Sequence, residues 1–570
     1  MPSILPLYHG GNDRDGRQGI WKRVRRRLLE LRLDVITSRP STLLPLLLSI
    51  ICCVVFVVCT LIWMLSGPAA SVPTPASILS PPSPASVLPS TTPAPKSSTG
   101  SGAEATVDAS RLVESDEAAS DKARQKAVVA AFTHAWEGYR RHAFGHDEIR
   151  PTTNATNDSW GGFGAVLIDG LDTMMLMGLD EYVAEARKVV QADDFAKDYS
   201  ASFFETTIRY LGGLLAAYAA SDDELYLTKA VQLGDALLPA FNSKTGLPYH
   251  EVNLQTGAAK NPSWNTDNCI LSEIGSVQLE FKSLSHFTGD PKYAAAADSV
   301  MDVLWEKREQ SVDGLYPVYI SAETGEFRDA HVTMGALADS FYEYLLKQWL
   351  LTSKTEPKYR RMYDETVAGI RQHLVARSTK SGLTYVAERM GNRLVHKMDH
   401  LACFLGGMFA LGAESHQLDD EVFSLGAAIT ETCHQLYARS PSGIAPEFVN
   451  FNAGGDDFVA GAPYYLLRPE TVESMFIMWR LTHDQQYRDM GWAVFLALEK
   501  MCKVPSGGYS GLKSTLTTAR TWDDAQPSYF LAETLKYLYL LFTDDSVIPL
   551  NEWVFNTEAH PLRVWDPTTA

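Results

Sequence analysis

The pattern of hydrophobic and polar positions divides the chain into distinct parts. Residues 43–65 form an uncharged apolar run, LLPLLLSIICCVVFVVCTLIWML. Residues 66–122 are rich in Pro, Ser, Thr and Ala, and such a composition cannot bury enough apolar surface to fold. From about Ala123 onward, apolar residues recur at helical spacing, as in YEYLLKQWLLT and LAETLKYLYLLF. We therefore predict an all-α domain over residues 123–565.

A short signature recurs at the predicted helix starts: an acidic residue, two others, and then an aromatic residue. It begins at Asp223, Asp290, Glu356, Asp420 and Asp484, with spacings of 67, 66, 64 and 64 residues. An acidic residue at such a place is a natural N-cap or first-turn charge. A unit of about 65 residues fits a hairpin of two helices, and the domain has room for about seven such hairpins. They could stack as an open solenoid or as a closed ring. We favour the ring because polar residues cluster at matching places in each unit.

The apolar run 43–65 predicts one transmembrane helix. At ~1.5 Å per residue it would extend ~34 Å, enough for a bilayer core of roughly 30 Å. The apolar region of a cleaved signal peptide is shorter, about 7–15 residues, and a buried core helix would lack the basic flank WKRVRRRLLELRLD. By the positive-inside rule, residues 1–42 are a cytosolic tail. We expect residues 66–122 to form an extended stem and residues 123–565 to be lumenal.

Charge and cysteine content narrow the possible partners and compartment. The net charge of −18 argues against nucleic acid as a partner. Asn154 and Asn157 begin the sequons NAT and NDS, which are N-glycosylation sites in a lumenal domain. The cysteines beyond the apolar run, in a compartment that permits disulfides, are Cys269, Cys403, Cys433 and Cys502.

Acidic residues within the predicted apolar helices are the candidate catalytic groups. The sequence has no phosphate-binding loop, dinucleotide fingerprint, HExxH motif, nucleophile elbow or EF-hand loop. Glu205 and Arg209 are four apart, and Glu273 and Glu280 are seven apart, so each pair is predicted to share a helix face. Further polar residues in such apolar segments are Asp339, Asp399, His400, Arg468, Glu470 and Glu473.

Any one of these groups is more often a salt bridge or a helix cap than a catalyst. Several in register with a repeat are different, because buried carboxylates are costly unless they are paired or functional. A cavity lined by them has the shifted pKa values that general acid and general base catalysis require. Such a cavity suits polyol substrates and glycoside hydrolysis, which needs a pair of carboxyl groups.

Six blocks of sequence, in order between about Ala123 and Leu562, carry a resemblance: FETTIRYLGGLLAAY, ADSFYEYLLKQW, KMDHLACFLGG, LLRPETVESMF, FLAETLKYLYLLF and VFNTEAHPL. Together they resemble the class I α-1,2-mannosidases, glycoside hydrolase family 47, in fungal-like, Golgi-type form. The resemblance implies an all-α, closed (α/α)7 barrel of helical hairpins, closed at one end by the C-terminal segment. It also implies a mannosyl-oligosaccharide 1,2-α-mannosidase. Such an enzyme is a calcium-dependent, inverting hydrolase that trims terminal α-1,2-linked mannose from high-mannose N-glycans, from nine mannoses toward five.

The resemblance also implies roles for individual residues. Glu205 matches the general acid, Glu470 matches the general base, and Asp339 matches a third essential carboxylate. Thr557 would bind Ca²⁺ through its carbonyl and hydroxyl, which are hard oxygen ligands, while nearby carboxylates hold the metal-bound waters. The residues expected to contact the substrate or its surrounding waters are Arg209, Glu273, Leu337, Asp399, His400, Arg468, Glu473 and Glu558.

Two further features follow from the resemblance. The family usually has MES where this chain has QPS, so Pro527 replaces a glutamate of the calcium's water shell and puts calcium affinity in doubt. Cys403 and Cys433 match a pair that the family bridges, and closing a loop of about 30 residues contributes roughly 3–4 kcal/mol. The resemblance leaves the state of Cys269 and Cys502 open.

Leu337, two residues before Asp339, bears on specificity and location. Endoplasmic reticulum members of the family usually have Arg there, and Golgi members usually have Leu. The 23-residue apolar run also favours the Golgi over the endoplasmic reticulum, whose bilayer core is thinner, about 27 Å. We therefore expect a single-pass, type II Golgi membrane glycoprotein that acts as a monomer on glycans of passing glycoproteins.

Two other functions remain open at this stage. A mannosidase-like lectin or slow trimming enzyme, acting in glycoprotein quality control and ER-associated degradation, could use the same fold. The presence of Glu205, Asp339 and Glu470 argues against a pure lectin. An unrelated helical-ring scaffold that binds peptides is the second alternative, and it would tolerate a conservative change at Glu470.

Overall fold

The computed structural model describes residues 120–415 and 419–566. The predicted tail, residues 1–42, the apolar run, residues 43–65, and nearly all of the stem therefore lie outside the described residues. Within the part that is described, no helix is both long enough and apolar enough to cross a membrane. The predicted domain limits stay predictions.

Helices form the body of the described chain, with two segments of π-helix that interrupt or begin inner helices. In chain order they are α1 (Asp121–His142), α2 (Ala165–Asp169), α3 (Leu171–Leu176), α4 (Asp180–Ala192), α5 (Phe203–Glu205), π1 (Thr206–Leu211), α6 (Gly212–Ser221), α7 (Glu224–Leu237), α8 (Leu271–Gly275), α9 (Gln278–Thr288), α10 (Lys292–Glu306), α11 (Asp339–Leu351), α12 (Pro357–His373), α13 (Leu405–Glu414), α14 (Asp420–Ala438), α15 (Glu470–Thr482), α16 (Gln485–Met501), π2 (Phe530–Thr534) and α17 (Leu535–Leu541).

The helices alternate between an inner and an outer layer. Inner helices are buried nearly all round, as in α15, where every residue from Glu470 to Arg480 is buried. Outer helices bury one face, as in α10, where the buried residues recur at helical spacing. Among the described residues there are seven inner segments, each paired with an outer helix. The inner segments are α2–α3, α5–π1–α6, α8–α9, α11, α13, α15 and π2–α17, and the outer helices are α4, α7, α10, α12, α14, α16 and α1.

The ring closes where the last inner helix meets the first outer helix. Helix α17 packs against α1, and Arg488 of α16 donates to Asp121 at the start of α1 at 2.5 Å. Gly138 of α1 lies against the backbone of Gly507 and Gly508, where an added Cβ would come within 2.7 Å of backbone atoms. These contacts join the two ends of the helical array. The prediction of a closed (α/α)7 barrel is confirmed.

The recurring acidic signature does mark the starts of outer helices. Asp223 and Asp484 are the N-caps of α7 and α16, and each side chain accepts the backbone N–H two residues later at 3.1 Å. Glu356 is the N-cap of α12, although its side chain accepts no capping hydrogen bond. In the fourth unit Asp420 is the predicted first-turn charge of α14, and the N-cap is the preceding residue, Asp419.

Short antiparallel strands lie in the long connections from outer helices to the next inner helix, apart from the last such connection, and the final two strands follow the last inner helix. They are β1 (Glu148–Arg150), β2 (Ala155–Asn157), β3 (Ser200–Ser202), β4 (Glu251–Asn253), β5 (Ala259–Lys260), β6 (Cys269–Ile270), β7 (Tyr319–Ile320), β8 (His331–Val332), β9 (Val375–Arg377), β10 (Thr384–Val386), β11 (Glu388–Met390), β12 (Arg393–Val395), β13 (Lys397–Asp399), β14 (Phe448–Phe451), β15 (Phe458–Ala462), β16 (Trp553–Phe555) and β17 (Pro561–Arg563). The largest sheets have three strands, ordered β3-β4-β5, β12-β11-β8 and β13-β14-β15. These long connections gather at the end of the barrel where the inner helices begin.

The C-terminal segment enters the barrel from the opposite end. Strands β16 and β17 pair antiparallel, with Val554 opposite Leu562. The N–H of Trp565, just after β17, donates to the carbonyl of Leu351 at the end of inner helix α11 at 2.9 Å. The hairpin between these strands is buried inside the ring, so its tip reaches toward the end where the inner helices begin. The predicted closure of one end by the C-terminal segment is confirmed.

One disulfide links an inner segment to its outer helix. Cys403, in the turn before α13, is bonded to Cys433 of α14, as the resemblance implied. Cys269 and Cys502 are free and buried.

Candidate active site

A cavity of about 240 Å³ opens among the first turns of the inner helices. Its wall is strongly acidic, with eight carboxylates against two arginines in the part of the chain that is described. It includes most of the residues that the sequence pointed to, and it also includes Glu343 and Glu533, which the prediction missed. The charged lining residues are Glu205, Arg209, Glu273, Asp339, Glu343, Arg468, Glu470, Glu473, Glu533 and Glu558.

Glu205 and Arg209 flank the start of π1. The Ser202 hydroxyl accepts the Glu205 N–H at 3.4 Å, which starts the helix, and the chain then widens into the π-segment that holds Arg209. Arg209 Nε lies 2.9 Å from Glu205 Oε2. The Arg209 guanidinium also contacts Glu558, and it donates to Ser528 Oγ at 3.2 Å. Arg209 is therefore locked from behind, whereas the Glu205 side chain is 28% exposed and faces the cavity.

Asp339 is the first residue of α11 and is largely withdrawn from water among other carboxylates. Its Oδ1 accepts the Ser340 N–H at 2.8 Å. Withdrawal from water raises the pKa of Asp339 to about 7, helped by the negative charges of Glu343 and Glu470 and opposed by the Ser340 N–H. Asp339 is thus able to carry a proton near neutral pH.

Glu470 is the first residue of α15 and has the opposite electrostatic setting. Burial alone would raise its pKa, but the His400 hydrogen bond and charge, together with Arg468, lower it below the ordinary value. His400 Nδ1 lies 2.9 Å from Glu470 Oε2, and His400 Nε2 lies 2.9 Å from the Tyr437 hydroxyl. The cavity therefore holds one carboxyl tuned to keep a proton and another tuned to lose it, the arrangement that acid and base catalysis uses.

One buried lysine contacts two further carboxylates of the cavity wall. Lys347 contacts Glu343, one helical turn before it on α11, and its Nζ lies 3.5 Å from Glu473 Oε1. Burial raises the pKa of Glu473 to about 8; Lys347 opposes this rise, and the charges of Glu343 and Glu470 add to it. Withdrawal from water, more than any single neighbouring charge, therefore keeps Glu473 protonated.

Thr557 lies at the tip of the C-terminal hairpin and lines the cavity. Asn556 shapes the tip, because its Oδ1 accepts the N–H groups of Glu558 at 2.9 Å and His560 at 2.8 Å. Ala559 adopts a left-handed conformation with φ of 59°. The Thr557 N–H donates to the Tyr344 hydroxyl at 3.3 Å. The sequence placed these polar groups at the chain's end, and the fold places them in the barrel.

His560 anchors that hairpin in the barrel. It is fully buried, with its ring nitrogens 3.1 Å from Asp169 and from Asp172. Burial tends to lower the pKa of His560, but the two aspartates raise it above the ordinary value. Lys536 also lies 2.6 Å from Asp172. The hairpin position therefore depends on a buried charge network that the sequence prediction did not include.

The donor set fits a hard divalent cation held mainly through water. In the described ranges, no group of three or more His, Cys, Asp and Glu side chains is arranged to bind a metal directly. Thr557 instead sits beside carboxylates that repel one another. Burial and the charges of neighbouring carboxylates raise the pKa of Glu533 and of Glu558 well above the ordinary value, and Arg209 opposes the rise at both. Thr557 oxygens with carboxylate-held waters suit Ca²⁺.

Some predicted substrate contacts lie elsewhere than the cavity wall. Glu273 and Leu337 line the cavity, and Glu273 pairs with His250 at 2.7 Å. His400 is buried behind Glu470 rather than on the wall. Asp399 is not among the lining residues, and it pairs with Lys397 at 2.7 Å.

The expectation that Glu273 and Glu280 share a helix face was wrong. Glu273 belongs to α8 and Glu280 to α9, and the chain leaves the helical conformation between them at Ser276. Glu280 consequently faces the C-terminal hairpin, where it accepts from Tyr344 OH and Asn556 Nδ2, both at 2.7 Å.

The two sequon asparagines differ in setting. Asn154 is exposed and has φ of 57° in the turn between β1 and β2. Asn157 donates to Glu148 Oε2 and to Ser159 Oγ, both at 3.0 Å. Glycosylation at either residue stays a prediction.

Comparison with known proteins decides the family. The family model Glycosyl hydrolase family 47 matches residues 131–564. The chain belongs to glycosyl hydrolase family 47.

Curated relatives of this family 47 chain are named mannosyl-oligosaccharide 1,2-alpha-mannosidases. The chain is 48% identical over 450 residues to mannosyl-oligosaccharide 1,2-alpha-mannosidase MNS1 of Arabidopsis thaliana, and the match covers 78% of this chain and 79% of the relative. It is 44% identical over 454 residues to the human endoplasmic reticulum mannosyl-oligosaccharide 1,2-alpha-mannosidase, covering 78% and 64%. Among solved structures it resembles the alpha-1,2-mannosidase from Trichoderma reesei, with 31% identity, a TM-score of 0.74 and coverage of 78% and 99%.

The two family 47 site residues that the prediction missed had a signal in the sequence. Glu343 follows Asp339 by four residues, so both lie on one face of α11. Glu533 lies inside the block FLAETLKYLYLLF, six residues after Pro527. Pro527, which precedes that block, does not line the cavity, but Glu533 brings a carboxylate from the block into it.

Proposed function

We propose that the chain is an inverting α-1,2-mannosidase that removes terminal mannose from high-mannose N-glycans. The observation that carries the proposal is geometric: Glu205, held by Arg209 at 2.9 Å, and Glu470, held by His400 at 2.9 Å, line one acidic cavity. The raised pKa of Asp339 and the lowered pKa of Glu470 agree with it. Membership of family 47 and the shared name of the relatives support the substrate class. A sugar's hydroxyls bind well to a wall of carboxylates and arginines.

The reaction needs one carboxyl to give a proton and another to take one. Ionised Glu470 removes a proton from a water molecule, whose oxygen attacks the anomeric carbon of the terminal mannose. The bond to the leaving oxygen breaks, and Glu205 supplies that oxygen with a proton through a second water. Asp339, protonated near neutral pH, supports this transfer. In an inverting site the acid and base stand about 6.5–9.5 Å apart, leaving room for the attacking water.

The remaining groups hold the reacting groups in place. His400 fixes the direction of Glu470 through its contact with Oε2, and Tyr437 fixes His400 from the other side. Arg209 holds Glu205, while Arg468 lies in the wall beside Glu470 and pairs with Glu447 at 2.6 Å. These fixed partners keep the carboxylates oriented before the substrate arrives.

Calcium completes the proposed site. Thr557 would hold it with its carbonyl and hydroxyl, and Glu470, Glu473, Glu533 and Glu558 would hold its waters. When bound, Ca²⁺ supplies positive charge and ligand sites for sugar hydroxyls. Its charge would add to those of Arg209 and Lys347 in offsetting the repulsion among these carboxylates.

The apolar side chain of Leu337 in the cavity wall favours removal of several different mannoses. Leu337 lines the cavity with a left-handed backbone, φ of 79°, and presents an apolar side chain. An Arg there would offer five fixed donors and select one branch of the glycan, whereas Leu leaves room for several. We therefore propose trimming from nine mannoses toward five. We also propose that the protein is a monomeric, single-pass type II Golgi membrane protein anchored by residues 43–65.

The alternative is a mannosidase-like lectin or slow trimming enzyme of glycoprotein quality control. The experiment is to incubate the full-length chain with a nine-mannose glycan and measure both free mannose and bound glycan. Release of mannose supports the hydrolase. Binding of the glycan without release would support the lectin and contradict the proposal.

A further inference from the structure

The turn that leads into Glu470 has a backbone conformation that a leucine disfavours. Leu467, three residues before Glu470, has φ of 64°, in the left-handed region where a Cβ crowds the following carbonyl. Its side chain is fully buried, so this unfavourable backbone conformation occurs inside the protein and not in an exposed loop. Residues held in this way persist only where surrounding contacts determine them, and they cluster at functional sites.

Hydroxyl groups hold three successive carbonyls of this turn. The Tyr529 hydroxyl donates to the Leu466 carbonyl at 2.5 Å, and the Tyr465 hydroxyl donates to the Arg468 carbonyl at 3.3 Å. Between them, the Thr534 hydroxyl donates to the carbonyl of Leu467 itself at 2.7 Å. The peptide unit that follows the left-handed residue is therefore oriented by Thr534.

Thr534 connects two parts of the cavity wall. It is fully buried and ends π2, directly after Glu533, which lines the cavity. Its partner Leu467 directly precedes Arg468, and Pro469 then leads into Glu470 as the first residue of α15. Pro469 has no N–H to fix the turn from its own side. The Thr534 hydroxyl is thus the contact that fixes the Leu467 carbonyl, just before Arg468 and Glu470.

We propose that Thr534 is a positioning residue for Glu470, acting through the carbonyl of Leu467. The inference rests on the proposed function, because it assigns Glu470 as the base. Without the hydroxyl, the Leu467 carbonyl is left buried without this donor, and the strained turn relaxes. Arg468 and Glu470 then move together, and a misplacement of about 1 Å can cost a factor of ~100 in rate.

The test compares variants of the full-length chain on α-1,2-linked mannobiose, measuring kcat, KM and thermal stability. Thr534→Val and Thr534→Ala remove the hydroxyl, and Thr534→Ser keeps it. Thr432→Val is the matched control, because Thr432 is also fully buried and its hydroxyl donates to the Thr384 carbonyl at 2.6 Å, on outer helix α14. Thr432→Val removes the same kind of hydrogen bond far from the cavity.

We expect Thr534→Val and Thr534→Ala to lower kcat ~10- to 100-fold with little change in KM. Thr534→Ser should keep the wild-type kcat, and Thr432→Val should lose stability but keep its kcat. If Thr534→Val does not fold, Thr534→Ala decides the matter. Wild-type kcat without the hydroxyl, or an equal loss in Thr534→Ser, would overturn the inference alone. A wild type that releases no mannose would overturn the proposed function as well.

Discussion

His400 lies behind Glu470, with Nδ1 2.9 Å from Oε2, and both residues are buried. His400 contacts Oε2 from behind the cavity wall. The other carboxylate oxygen, Oε1, is therefore left for a reacting water. The His400 contact, together with Arg468, overcomes burial and lowers the pKa of Glu470. A general base must be ionised at the working pH, and this pair meets that condition.

Replacement of that base should stop turnover without unfolding the chain. Glu470→Gln keeps the shape and a hydrogen-bonding oxygen but removes the negative charge. We expect kcat to fall by ~10²–10⁴-fold, while the melting temperature and circular dichroism stay close to wild type. The control is Glu431→Gln on the outer helix α14, which should keep full activity. Retention of most of the wild-type rate by Glu470→Gln would place the base elsewhere.

The pKa of Glu473 predicts a specific dependence of stability on pH in the absence of calcium. Its folded-state pKa, about 8, lies above the value of ~4.3 expected in an unfolded chain. The stability that its protonated form contributes is therefore present below about pH 4 and is lost as the pH rises through about 8. Glu473→Gln cannot ionise and should escape this loss.

The measurement is the melting temperature of wild type and Glu473→Gln with a chelator at pH 5 and at pH 8. The two proteins should melt at similar temperatures at pH 5, and the variant should be the more stable at pH 8. Glu309→Gln, at an exposed glutamate, is the control for a general charge effect. A difference between wild type and Glu473→Gln that is the same at both pH values would contradict the assignment.

Removal of calcium should lower both activity and stability. A ligand bound only by the folded state stabilises it by ~2.7 kcal/mol at a hundredfold excess over Kd. Chelation should therefore lower the melting temperature and the rate, and Thr557→Ala should behave like chelated wild type. Thr557→Ser keeps the carbonyl and the hydroxyl, so it should still respond to calcium. If a chelator changes neither rate nor melting temperature, Thr557 is not a calcium ligand in this chain.

The choice of mannose should depend on Leu337. We expect wild type to convert a nine-mannose glycan to products near five mannoses, followed as a time course by mass spectrometry. Leu337→Arg should slow the later steps more than the first, because its guanidinium favours one branch. Leu337→Met, which is long but uncharged, should trim like wild type. Accumulation of one eight-mannose isomer by wild type at long times would show that Leu337 does not open the site.

Repetition in the sequence made the barrel predictable. Acidic residues such as Asp223 and Asp484 cap outer helices because a side-chain oxygen satisfies free N–H groups there. That capping chemistry is local, so the sequence reveals it directly. At α14 the two roles fall on neighbouring residues, with Asp419 as the N-cap and Asp420 as the first-turn charge.

The site was less predictable where the helices depart from regular spacing. The break at Ser276 separates Glu273 from Glu280, although seven residues would place both on one face of a continuous helix. Glu533 lies in π2, whose wider turns shift side chains around the axis by an amount that helical periodicity does not show. Tertiary packing sets both features, so helical spacing alone does not show which of these carboxylates reaches the cavity.

The anomeric form of the first mannose released is the most direct test of the central claim, that Glu470 directs water to a terminal α-1,2-linked mannose with inversion. Proton NMR during the first minutes of hydrolysis of a nine-mannose glycan distinguishes β-mannose from α-mannose before they interconvert. The account predicts that β-mannose appears first. Initial release of α-mannose, or no release while the glycan is bound, would contradict it.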